Sequence, residues 1–272
     1  MRLAAFGDVM GRAGRRALLD QLPRLRRAYE LEFVVVNAEN AAGGFGVTQR
    51  ICEALFEAGA DVITTGNHAF DQREEIDYYN REPRLLRPVN YAAAAPGRGV
   101  GIFRTTNGRN VFVVHAQGQR NMPPCDDPCA AVDRELQKLG LGHGADAVIV
   151  DFHAEATSEK CSMGHHLDGR ASLVFGTHTH IPTADDQILP KGTAYVTDLG
   201  MCGDYDSVIG MDKAEPLQRF VTKIPSGRME PASGAATVCG VIVEVDPDAG
   251  LARRIEPVRL GGRLREARPD FS

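Results

Sequence analysis

Apolar and polar positions alternate along the chain in a way that predicts strands and helices in turn. Leu3 to Phe6 is a short apolar run that stops at Gly7-Asp8. Leu18, Leu22, Leu25 and Tyr29 then recur on one helical face. Pro23 lies inside that pattern and is expected to kink or split the helix. Glu32 to Val36 reads as a β-branched strand closing on Asn37. Thr48 is an N-cap for a helix running to Ala58, with Gly59 as its stop. Asp61 to Thr65 is a further strand, ending at Gly66-Asn67-His68, and a short helix from Arg73 to Asn80 is expected next.

The middle of the chain changes character. Val100 to Thr105 and Asn110 to His115 flank Asn107-Gly108, a hairpin signal. Ala116 to Asp127 is rich in turn formers. Asp127-Pro128 reads as an N-cap and first-turn proline for a helix to about Leu139. Ala145 to Phe152 is a nearly all-apolar strand ending on His153, and Ala171 to Phe175 ends just before His178 and His180. Two strand-like runs, Thr237 to Val245 and Leu251 to Val258, close the chain around a turn at Pro247-Asp248. No repeat or linker breaks the pattern, so residues 1–272 are read as one domain.

Five polar clusters therefore each follow a strand: Asp8, Asn37 to Asn40, Gly66 to His68, Asp151 to His153, and Gly176 to His180. Ligands of open α/β sheets bind outside the carboxyl ends of strands, so these clusters converge if the strands share a direction. Taken singly, a strand-end Asp or Asn is more often a cap or turn former. Together they offer carboxylates, amide oxygens and three imidazoles, a donor set suited to Mn, Fe or Zn rather than to Ca or a thiolate-held zinc. Glu39, central in its loop, is the candidate bridge between two cations roughly 3.5 to 4 Å apart.

These residues resemble a known family. Gly7-Asp8, Glu39-Asn40, Gly66-Asn67-His68, His153 and the Gly176-Thr-His178-Thr-His180 block match, in order and spacing, the signature of the calcineurin-like metallophosphoesterases. Within them the chain is most similar to the YmdB-type phosphodiesterases, from about Arg2 to Val258. Met10, where a metal histidine commonly stands, and Glu39-Asn40, in place of a bridging aspartate, are features of that branch. The resemblance implies one metal held by Asp8, Glu39, Asn40 and His180, and a second held by Glu39, Asn67, His153 and His178. It implies His68 as proton donor, and a four-layer α/β/β/α sandwich of two packed mixed sheets, the later hairpins and the two C-terminal strands suiting the second sheet. It also implies hydrolysis of 2′,3′-cyclic nucleotides at the 2′ bond by a hydroxide held between two ions, iron or manganese.

Charge sharpens the picture. Two divalent cations and two carboxylates leave roughly two positive charges, which a hydroxide and a phosphodiester monoanion neutralise, favouring a diester over a monoester. A nucleotidase, or a regulatory protein with a structural metal site, is the alternative. Arg12, Arg15 and Arg16 are candidates for phosphate contact or a solvated helix face, and Gly43 to Gly46 for a wall of the site. Asp168-Gly169-Arg170 is read as an ion pair at the rim.

Bulk properties add exclusions. An apolar content of 43% with 25% charged residues argues against long disorder. A net charge of −5 gives no support to duplex nucleic acid binding. The expected partner is a small nucleotide, with no membrane and with a homo-oligomer open. The opening residues are too quickly charged for a signal peptide, and the six cysteines form no CxxC pair, so reduced thiols and a cytoplasmic location are expected.

Overall fold

The computed structural model describes residues 1–271. Its first part runs β1 (Arg2–Phe6), α1 (Gly11–Ala28), β2 (Phe33–Asn37), α2 (Gln49–Ala58) and β3 (Val62–Thr64), then a 3-10 turn at Arg73–Glu75, α3 (Tyr78–Arg81) and β4 (Leu85–Leu86). The four strands pair side by side in that order, all parallel. Parallel neighbours need a crossover, and α1 and α2 supply the first two.

A second sheet follows. Its elements are β5 (Val100–Arg104), β6 (Asn110–Gln117), α4 (Pro128–Lys138), the small pair β7 (Gly140–Leu141) and β8 (Gly144–Ala145), β9 (Ala147–His153), α5 (Thr157–His166), β10 (Leu173–Thr177), β11 (Gln187–Ile188) and β12 (Ala194–Val196). The strand order is β11-β12-β10-β9-β6-β5, with parallel strands in the centre and an antiparallel strand at each edge. The chain then returns to the first sheet through β13 (Gly203–Asp204), α6 (Ala214–Thr222), β14 (Ala236–Val245) and β15 (Ala252–Leu260).

Period-two alternation divides the core. Leu3, Ala5, Phe33 and Val35 face inward and meet Val111, Val113, Ile149 and Phe175 of the other sheet. Ala4, Phe6, Val34 and Val36 face outward under Leu18, Leu22, Leu25, Cys52 and Leu55 of the helices. Phe112, Val114, Val148 and Val150 are covered by Val132, Leu136 and Met163. The result is an α/β/β/α sandwich of two mixed sheets, each fully buried Val, Leu, Ile, Phe or Met side chain adding about 1.5–3 kcal/mol by its removal from water.

Three expectations are corrected. The two C-terminal strands join the first sheet, because β14 pairs antiparallel with the free edge of β1 and is apolar on both faces. Of the kink or split expected at Pro23, the split does not occur, since α1 is one helix of 18 residues. Proline in a helix costs about 3 kcal/mol, and burial of Leu18, Leu22 and Leu25 on both sides of it outweighs that. The single helix expected from Arg73 to Asn80 is a 3-10 turn followed by one short α-turn, since Arg73-Glu74-Glu75 offers no apolar stripe to bury. No helix among the described residues is long and apolar enough to cross a membrane, and all six cysteines are unpaired.

Candidate metal centre

The carboxyl ends of β1, β2, β3, β9 and β10 deliver the five polar clusters to one rim. Glu39 lies at its middle, almost fully buried. Its Oε2 accepts the backbone N–H of His68 at 3.2 Å, and its Oε1 is 3.1 Å from Nε2 of His153. Two groups of ligand atoms intersect there, each within 4.8 Å: Glu39 with His153 and His178, and Glu39 with Asp8 and His180. Asn67 joins the first through Oδ1, 3.0 Å from Nε2 of His153. Asn40 joins the second through Oδ1, 3.2 Å from Nε2 of His180, while its Nδ2 donates to the carbonyl of Gly44.

Hydrogen bonds behind the site decide which nitrogen faces it. Thr177 donates its hydroxyl proton to Oδ1 of buried Asp151 at 2.7 Å, so its oxygen is left to accept from Nδ1 of His153 at 2.9 Å. The lone pair of His153 Nε2 then faces two oxygens, Glu39 Oε1 and Asn67 Oδ1. His180 repeats the arrangement: Nδ1 donates to the carbonyl of Ile209, and Nε2 faces Asn40 Oδ1. An acceptor nitrogen opposite acceptor oxygens is satisfied only by a cation or an extra proton between them. Asp8 Oδ1 is buried with no hydrogen-bond partner, while Oδ2 accepts from the N–H of His178 at 2.9 Å. Gly66 completes the cradle, because a Cβ there would occupy the space between Glu39 and His153. The residues present fit two metal ions.

Electrostatics agree with that fit. Burial raises the Asp8 carboxyl to about 6, only partly offset by His180 and His153. Burial alone would raise Glu39, but the charge and hydrogen bond of His153 hold it well below the usual carboxylate range. Burial pulls His153 down, and the charge and hydrogen bond of Glu39 more than offset it, so the imidazole is raised above its usual value. His178 is lowered to about 3 by burial and by its neighbour His153, 4.8 Å away between ring centres. Cations in the site invert this logic, favouring ionised Asp8 and neutral imidazoles.

His68 stands on the cavity wall beside Phe45, with ring centres 5.2 Å apart. Its Nδ1 meets Asp71 Oδ2 at 2.7 Å, a contact that fixes the orientation of the ring. Arg12 is exposed on α1, and the Arg15 guanidinium donates to the carbonyl of Ala41; neither lines the cavity. Arg15 thus braces the loop that carries Glu39 and Asn40. Arg16 is exposed. Arg170 pairs with Asp133 at 2.7 Å rather than with Asp168, whose carboxylate accepts from the N–H of Lys191.

Sequence reasoning gave no role to several residues that build the site. Asp151 also accepts from Thr64 at 2.5 Å and Asn37 at 3.1 Å, tying both sheets together below the rim. Lys160 and Asp198 form a buried pair at 2.7 Å, and Asp198 also accepts from the N–H and hydroxyl of Thr179. That pair holds the turn in which His178 (φ 93°) and His180 (φ 67°) are both left-handed. Glu155 lies 3.2 Å from Nε2 of His178. Asp151 and Thr177 sit inside the strand-end blocks and were within reach of sequence reasoning; Lys160 and Asp198 carried no local signal.

The family model described as "YmdB-like protein" matches residues 5–258. A Bacillus subtilis relative named "2′,3′-cyclic-nucleotide 2′-phosphodiesterase" is 42% identical over 260 residues, covering 96% of this chain and 97% of the relative. The crystal structure of a hypothetical protein from Thermus thermophilus superposes with a TM-score of 0.89 at 40% identity, covering 97% of this chain and all of that one. The structure of a novel phosphatase from Mycoplasma pneumoniae superposes with a TM-score of 0.89 at 33% identity, covering 96% and 93%.

Proposed function

Because the chain belongs to the YmdB-like family of metallophosphoesterases, we propose that it is a dinuclear phosphodiesterase opening 2′,3′-cyclic nucleotides at the 2′ bond. The observation that carries the reading is the place of Glu39 in both ligand groups. Asp8, Asn40 and His180 would hold one ion with it, and Asn67, His153 and His178 would hold the other. The mixed carboxylate, amide and imidazole set suits iron or manganese. Bound there, two such ions supply Lewis-acid stabilisation of the charge on the phosphate oxygens.

The chain's own groups do the rest. Asp151, through Thr177, and the carbonyl of Ile209 keep His153 and His180 in the tautomer that presents Nε2 to the site. His68 donates the proton from Nε2 to the departing 2′ oxygen, oriented by Asp71 at Nδ1. Counting two divalent ions, two carboxylates and one attacking hydroxide, a singly charged diester leaves the site closer to neutral than a doubly charged monoester. The name of the Bacillus relative supports the cyclic substrate and the 2′ bond.

Metal analysis of the purified protein, with parallel assays on 2′,3′-cyclic, 3′,5′-cyclic and linear nucleotides and a chromogenic monoester, tests the reading. The expected result is two transition-metal ions per chain and fastest turnover of the 2′,3′-cyclic substrate to a 3′-monophosphate. Faster turnover of the monoester would replace it with a phosphomonoesterase. No turnover with both ions bound would leave the metals a structural role.

A further inference from the structure

Glu39, Asn40, His68, His178 and His180 supply only the polar part of the lining of a cavity of about 350 Å³. That volume lies within the range of small-ligand pockets, roughly 300–1,000 Å³. The rest of the lining is largely apolar and includes Phe45 from the loop after β2, Ile209 and Met211 from the segment after β13, Phe220 of α6, and Met229. None of these side chains carries an N–H or O–H group. Phe220 is 71% exposed and Ile209 52%, so the wall stands open to water at the mouth of the site. Met211 is backed by buried Met10 and Met201.

The backbone of this wall is strained. Ile209 is β-branched yet has φ 45°, a conformation such residues adopt only when held there. Its carbonyl is fixed by Nδ1 of His180, and the next N–H, of Gly210, donates to Ser207 Oγ at 2.8 Å. The contact that orients a metal-site histidine thus also sets an aliphatic side chain in the cavity wall.

We infer that this wall is a nucleobase subsite, in which the base lies against Phe220, Ile209 and the Met211 and Met229 thioethers while the phosphate lies over the polar floor. The inference rests on the reading of the site as a nucleotide phosphodiesterase and adds what recognises the rest of the substrate. Aromatic rings and thioethers take the flat face of any base. A wall without donors cannot read the hydrogen-bonding edge, so the subsite selects for having a base and not for which base. The four 2′,3′-cyclic nucleotides are therefore turned over with kcat/KM values within about ten-fold of one another.

The test compares 2′,3′-cyclic AMP with glycerol 1,2-cyclic phosphate, which carries the same five-membered ring and no base. Phe220→Ala lowers the ratio of their kcat/KM values by about ten-fold, through KM of the nucleotide. Val221→Ser, on the same helix, 79% exposed and outside the cavity lining, leaves the ratio as in the parent. An unchanged ratio in Phe220→Ala, or a base preference above about 100-fold, overturns the subsite. Calorimetric binding of 3′-AMP against glycerol phosphate to the metal-loaded protein gives a readout independent of turnover. Tighter 3′-AMP binding that Phe220→Ala abolishes supports the subsite even if neither cyclic substrate is cleaved, in which case only the proposed reaction falls. Equal binding of the two ligands overturns the subsite whatever the turnover.

Discussion

Nδ1 of His180 donates to the carbonyl of Ile209 at 2.7 Å, and this contact turns the Nε2 lone pair of His180 toward Asn40 Oδ1 and Asp8. The same device acts on His153 through Thr177. Without ions, both sites set acceptor against acceptor around buried carboxylates, an arrangement that opposes folding. Removing bound metal is therefore expected to lower the thermal midpoint, and re-adding manganese or iron to restore it. At free metal 100 times its dissociation constant the stabilisation is about 2.7 kcal/mol. A melting curve indifferent to chelation would contradict the fit of the site to metal.

Glu39→Gln should be the most damaging single change to metal content, because both ligand groups share this side chain. The expected outcome is loss of most bound metal at both positions, read by elemental analysis. A variant that keeps two ions per chain would remove Glu39 as the bridge.

Gly66→Ala tests the cradle without changing any ligand. Its added Cβ enters the space between Glu39 Oε2 and His153 Nε2. Metal content and turnover are expected to fall together while far-ultraviolet circular dichroism stays as in the parent. Full metal occupancy in this variant would show that the two side chains can separate at little cost.

His68→Ala separates chemistry from metal binding. Its imidazole stands on the cavity wall, bonded to Asp71. The variant is expected to keep both ions and to lose about 10²- to 10⁴-fold in kcat, the usual contribution of a positioned acid. Its loss should be smallest on diesters with an acidic leaving group, which need no proton. Full activity on cyclic nucleotides would take His68 out of the mechanism.

Lys160→Met leaves Asp198 as an uncompensated buried charge under the turn that carries His178 and His180. Breaking such a pair costs about 3–5 kcal/mol, to be read from the denaturant midpoint. Metal affinity should fall as well, since Thr179 loses part of its anchor. A stability change within experimental error would show that the pair is not holding the turn.

Local signals made much of this fold legible. Thr48 caps α2 through its side chain and Gly59 ends it in the left-handed conformation; Asp127 and Pro128 start α4 as their types dictate. The strands that end at Asp8, Asn37 and His153 could be read because apolar runs and turn formers lie next to one another in the chain. α5 was not legible: its polar and apolar residues are not segregated on one face, and it is held by Lys160 reaching Asp198, 38 positions away. The sheet to which β14 belongs was not legible either, because apolarity on both faces says that a strand is central, not that β1 is its neighbour.

The sequence by itself determined the residue types at the five strand ends, and with them the donor set and the chemistry open to it. Only the tertiary structure decided which atom of each residue faces the others. Asp151 reaches His153 through Thr177, 26 positions along the chain from Asp151, and Ile209 reaches His180 over 29. The cavity wall brings Phe45 to Phe220. Strand and helix signals act over a few residues, whereas the tautomer of a buried imidazole is set by whatever group the fold places behind it.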